Sequence, residues 1–156
     1  MPDCCEALIM ASASGSDVAI GFSTITCLPC FKALIANAQE RATEAREIEE
    51  ARIADLELTA READQRVKRA ARGAEREELL AQLEELGAWY RDLVAVGVGA
   101  DSAAIHLDRL AELKADATRE RLAGAEHAAE AVRATWRELE EFQLAPPLAL
   151  EALFLR

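Results

Sequence analysis

The chain has 156 residues, 30% charged and 51% hydrophobic, with a formal net charge of −11. That balance describes a folded domain with a core of moderate size rather than a disordered chain. It disfavours non-specific binding to nucleic acid or anionic membrane, both polyanions, and seven Gly with four Pro are too few for an all-β fold rich in tight turns.

Composition changes near residue 36. Residues 1–36 hold all four cysteines and few charges, whereas the chain from Asn37 onward is dense in Ala, Glu, Arg and Leu. The sequence thus divides into an irregular Cys-containing head (1–36) and a helical domain (37–156). The apolar run Val18 to Phe31 contains Pro29 and is followed by Lys32. It is shorter than the roughly 20 residues that span a bilayer, and the only charges before it are acidic, unlike a secretory signal. A cytoplasmic location without membrane association is the expectation.

The head contains Cys4, Cys5, Cys27 and Cys30. Cys27-Leu28-Pro29-Cys30 has the C-x-x-C spacing of metal sites and redox pairs. Adjacent Cys4 and Cys5 point apart and make an awkward second ligand pair, no His lies in the head, and no βαβ pattern supports a thioredoxin-like motif. Zinc, redox and plain reduced thiols all remain open at this point, with reduced thiols favoured. No metal or cofactor is assigned.

Steps mostly of three or four residues predict a first helix from about Phe31 to Arg72, through Leu34, Ala38, Ala42, Ala45, Ile48, Ile53, Leu56, Ala60, Ala63, Val67 and Ala70. Its stripe is thin and rich in Ala. Gly73 is read as a break. Ala74 to Val96 forms a stronger helix, with Leu79, Leu80, Leu83, Leu86, Tyr90, Leu93 and Val94 on one face and Gly97 and Gly99 ending it. Asp101 or Ser102 caps the next segment, and Ile105, Leu107, Leu110 and Leu113 outline a shorter helix. Gly124 marks another break before a helix from about Ala125 to Phe142. Pro146 and Pro147 allow a restart, and Leu148 to Leu155 is a helix with almost no polar face. The fold class is all-α, a helical bundle with a long N-terminal helix and a short irregular head.

No nucleotide-binding loop of the G-x-x-x-x-G-K-[ST] or G-x-G-x-x-G type occurs. His106 and His127 fall on different predicted helices and neither has an H-x-x-x-H or H-E-x-x-H partner. The basic cluster Arg66, Lys68, Arg69, Arg72, Arg76 could touch phosphate or an acidic partner, but it is flanked by acids and lacks interleaved aromatics, so a solvated helix face is the favoured reading. Carboxylate pairs such as Glu84/Glu85 and Glu140/Glu141 read as solvated faces with i,i+4 ion pairs. The expectation is a non-enzymatic chain with no catalytic, cofactor-binding or metal-binding residues.

One series of segments carries more. Lys68-Arg69-Ala70-Ala71-Arg72 leads into Glu75-Arg76-Glu77-Glu78-Leu79-Leu80. Next come Trp89-Tyr90-Arg91-Asp92-Leu93-Val94, a Gly-rich turn, and Ile105-His106-Leu107-Asp108-Arg109-Leu110. Pro147-Leu148-Ala149-Leu150-Glu151-Ala152-Leu153-Phe154-Leu155 closes the chain. From about residue 45, and more firmly from 68, this order resembles the C-terminal collar domain of the delta prime subunit of bacterial DNA polymerase III, a clamp-loader component. The closing L-A-L-E-A-L-F-L and the W-Y-R-D-L segments are its most specific parts. His106 stands where that family commonly has Asn, and Phe142-Gln143-Leu144-Ala145-Pro146-Pro147 stands in place of its Asn-rich turn. The cysteine spacing differs from that of the family's zinc module, and no ATPase-like module precedes the domain in this chain, so the chain looks like a C-terminal fragment or a stand-alone version.

The resemblance implies a structural and assembly module in DNA replication, with gamma/tau-like and delta-like clamp-loader subunits as partners and no ATPase or polymerase chemistry of its own. The candidate interface residues are Trp89, Tyr90, Leu93, Leu150, Leu153 and Phe154. The competing reading is a generic helical coiled-coil or adaptor protein, a homodimer through the long first helix. An enzyme or metal protein built on the cysteine head is a third.

Overall fold

The computed structural model describes residues 28–142 and 144–155, and among them every regular element is a helix. The described residues form five α-helices in chain order: α1 (Leu28–Ile53), α2 (Ala60–Gly97), α3 (Leu110–Asp116), α4 (Arg119–Glu140) and α5 (Pro146–Leu155), with short 3-10 turns at Asp101–Ala103 and Leu107–Arg109. The all-α class expected from periodicity is what the fold shows. Most of the head, with Cys4, Cys5 and Cys27, lies outside the described residues. Cys30 falls on α1, which begins at Leu28, inside the segment assigned to the head.

Several predicted boundaries move. The first break comes at residues 54–59 instead of Gly73, and α2 then runs unbroken for 38 residues. Its start is set by a capping box: the Thr59 hydroxyl accepts from Glu62 N–H at 3.3 Å, and the Glu62 carboxylate accepts from Thr59 N–H at 3.0 Å. Hydrogen bonding to Thr59 holds the Glu62 carboxyl below the usual range. Gly73 sits mid-helix with open space beside it, and Gly124 lies inside α4. A single helical Gly costs only about 1 kcal/mol relative to Ala, which the burial of Leu79 to Val96 downstream easily offsets. α4 instead starts at Arg119, where the Thr118 hydroxyl accepts from Arg121 N–H. α2 does end at Gly97, and Gly99, with φ 79°, takes the left-handed backbone that the turn after the helix requires. The segment expected to form a helix from Ile105 is split: Ile105 and Leu107 are exposed, and only Leu110 and Leu113 of α3 turn inward.

α1 and α2 form an antiparallel hairpin, tied by Arg66–Glu49 at 3.2 Å and Arg41–Glu78 at 3.7 Å. α4 runs antiparallel along the C-terminal half of α2, tied at one end by Arg76, whose guanidinium reaches the Glu140 carboxylate at 2.7 Å and its carbonyl at 2.9 Å. The core lies between these helices. Leu79, Leu83, Leu86, Trp89, Tyr90 and Leu93 of α2 meet Ala125, Ala128, Val132 and Leu139 of α4. Each fully buried Leu contributes about 1.5–3 kcal/mol. Pro146 opens α5, as the sequence suggests, and α5 packs chiefly against α4 and α1.

Candidate functional site

The most concentrated chemistry among the described residues surrounds Asp92. Its position on α2 is dictated by the helix period: Trp89, Leu93 and Val96 all turn inward, and Asp92, one residue before Leu93, is carried in with them. Its side chain is fully buried. A buried carboxylate must be surrounded by donors, and the returning loop supplies them. One carboxylate oxygen accepts from Ile105 N–H at 2.8 Å, His106 N–H at 2.9 Å and His106 Nδ1 at 2.7 Å. The other accepts from the Arg91 guanidinium at 3.1 Å. Arg91 also donates to the Ala103 carbonyl at 3.2 Å. Burial by itself would raise the Asp92 pKa; the hydrogen bonds from His106, Ile105 and Arg91 oppose it and together hold the carboxyl below the usual range.

His106 is bracketed. Its Nε2 lies 3.0 Å from the Glu85 carboxylate, its ring meets Trp89 at a centroid distance of 5.7 Å, and it is mostly shielded from solvent. Neutral imidazole has one N–H and satisfies one of the two carboxylates, whereas imidazolium satisfies both. With both nitrogens on carboxylates, neither is directed at a nucleophile, so the arrangement clamps a loop onto a helix instead of generating an attacking group. Trp89 completes the clamp. The Arg109 guanidinium lies 4.4 Å from its ring centroid, and its indole N–H donates to Asp116 at 3.3 Å. Asp116 pairs in turn with Arg121 at the start of α4. The result is a polar lattice joining α2, the 104–109 loop, α3 and α4. Among the described residues no group of three or more His, Cys, Asp or Glu could hold a metal ion, and no helix is long and apolar enough to cross a membrane.

The candidate interface residues from the sequence occupy other surroundings. Trp89, Tyr90, Leu93, Leu150 and Leu153 are all buried in the chain's own core, so in the isolated chain they are packing residues and not an open docking face. The side chain of Phe154 lies outside the described residues. Among the described leucines of the closing segment, Leu148 is the exposed one, at 62%. α5 packs chiefly on α4 and α1, and its Leu150 and Leu153 share one buried core with Trp89, Tyr90 and Leu93. Arg66, Lys68 and Arg76 are engaged with Glu49, Asp64 and Glu140, in keeping with a solvated, ion-paired face. Sequence reading names Glu85 only within a solvated carboxylate pair and Asp92 only as part of the W-Y-R-D-L segment, and it does not name Asp116. The one available signal is an acid set in an inward-facing register between Trp89 and Leu93.

Compared with known proteins, the chain matches no family model, no curated protein and no solved structure.

Proposed function

We propose that this chain is a non-catalytic assembly module of a bacterial replicative clamp loader, equivalent to the collar domain of the delta prime subunit. One observation carries the reading. Two of the segments on which the sequence resemblance rests, Trp89–Leu93 and Ile105–Leu110, are separated in the chain and are locked together by the Asp92 hydrogen bonds and by the Trp89–Arg109 stack. The third, the closing helix, places Leu150 and Leu153 in the same core. Residues that would be arbitrary in an unrelated helical protein thus have a joint physical task, which is to make a rigid helical block. Rigidity suits a module whose work is to hold neighbouring subunits in register.

The test is analytical size exclusion of the purified chain mixed with gamma/tau-like and delta-like clamp-loader subunits. Co-elution in a defined stoichiometry supports the proposal. Independent elution when the subunits are mixed well above micromolar concentration favours the second reading, a helical adaptor outside replication.

A further inference from the structure

The groove between α2 and α4 is apolar at its floor and carries two arginines at its rim. The groove has a volume of about 340 Å³. Leu83, Gly87 and Ala88 of α2 and Val132 and Trp136 of α4 form its floor, and Ile105, 56% exposed, forms its lip. The Trp136 indole N–H is buried without a hydrogen-bond partner among the described residues. Arg91, whose guanidinium also holds the buried Asp92, and Arg133 stand at the rim against one acid, Glu84, in a chain where acids outnumber bases 29 to 18. The Arg133 side chain is 65% exposed and pairs with the exposed Glu130 only at 4.0 Å.

Gly87 is the second observation. It lies in the middle of α2, where Gly costs about 0.5–1 kcal/mol relative to Ala. A Cβ added there would meet only Val132 Cγ1, at 3.6 Å, an ordinary contact. Packing within the chain therefore does not call for Gly at this position. Its effect is to lower the groove floor.

A fitting occupant is found on the chain itself. At the far end of the hairpin, Ile48 is 67% exposed and Leu56 is 48% exposed, the most prominent apolar residues of that end. Exposed Glu44, Glu47, Glu50 and Asp55 lie around them; of the nearby cations Arg41 pairs with Glu44 and Arg52 is directed at Glu49, and with exposed Arg46 counted the acids are still in excess. This is an aliphatic knob in an acidic setting, matched to a groove with an apolar floor and a basic rim. We infer that the α1–α2 hairpin tip of one copy docks, through Ile48, into the α2/α4 groove of a second copy. In a two-fold arrangement each copy offers one tip and one groove, so both contacts form at once and the interface is self-complementary. This inference stands apart from the clamp-loader proposal, since it concerns self-association and is measured without other subunits.

Sedimentation velocity on the full chain tests it. The wild type should shift from monomer to dimer with rising concentration, reaching mostly dimer by about 0.1 mM, and the dimer should weaken as salt screens the rim charges. Ile48→Asp removes the knob and Gly87→Leu plugs the groove; each should weaken dimerisation at least about tenfold. Gly87→Leu should keep or raise the melting temperature, because Leu is the better helix former, which separates a blocked interface from a damaged fold. Arg133→Glu should weaken association, and adding Glu47→Arg should recover part of it. A wild type that stays monomeric at about 0.1 mM, or a dimer indifferent to both Ile48→Asp and Gly87→Leu, overturns the inference.

Discussion

Replacing Asp92 by Ala probes the clamp directly. The substitution removes the acceptor for three donors from the 105–106 segment and one from Arg91. Ile105 N–H and His106 N–H then lose the carboxylate oxygen that accepts them. Breaking a buried charged pair by deleting one member typically costs about 3–5 kcal/mol, most of it from the stranded partner groups. For a domain of this size each kcal/mol lowers the melting temperature by about 2–4 °C, so Asp92→Ala should melt about 6–20 °C below wild type. Asp92→Asn keeps the shape but presents an NH₂ group to a cluster of donors, and should fall in between. Near-ultraviolet circular dichroism should change as well, since Trp89 packs on His106. The same carboxylate has a depressed pKa in the folded chain. Its stabilisation is therefore fully present above the unfolded-state carboxylate range, and is lost as pH falls through the lower folded value. Wild type should lose this contribution on acidification, and Asp92→Ala should have none of it to lose. A melting temperature within about 2 °C of wild type for Asp92→Ala would refute the clamp.

Further expectations concern the ends and the middle of helices. Leu150→Ala, at a fully buried site, should destabilise by about 2–5 kcal/mol, whereas Leu148→Ala, at an exposed site in the same helix, should stay within about 0.5 kcal/mol; urea titrations distinguish the two. Thr59→Ala removes the capping box at the start of α2 and should cost about 1 kcal/mol by the same assay. Gly73→Ala, where a Cβ meets nothing within 4 Å, should stabilise by about 0.5–1 kcal/mol, visible as a modest rise in melting temperature.

Legibility in the sequence depends on the range of the interaction. The inward stripe from Leu79 to Leu93, the stop at Gly97–Gly99 and the restart at Pro146 are local signals, and the fold keeps all of them. The hairpin turn has a local signal too. Thr59-Ala60-Arg61-Glu62 is a capping-box sequence, but the apolar steps across Leu56 suggest continuity, and Leu56 proves to be exposed. Gly73 and Gly124 mislead in the opposite direction, because a residue's helix propensity is weaker than the packing of a long amphipathic face. The site is the least legible part. Asp92 gets its meaning from donors that arrive after a turn, at Ile105 and His106, and Glu85 from the other side of the same imidazole. No periodicity encodes such a meeting, since it exists only after α2 and the returning loop have packed.

The length of α2 has a mechanical consequence. At about 1.5 Å per residue its 38 residues extend about 57 Å, well past the stretch that α4 covers. From Gly73 back toward its N-terminus, the rod is covered by α1, and the buried side chains there are few: Val67 and Ala71, with Ile53 opposite. Local stability should therefore rise steeply along the rod. Amides near the 54–59 turn should exchange, and the turn be cleaved, at small opening free energies, while those from Leu79 to Val96 require unfolding of the whole bundle. The hairpin is thus a lever fixed at one end, able to splay or bend at its tip without loosening the clamp around Asp92.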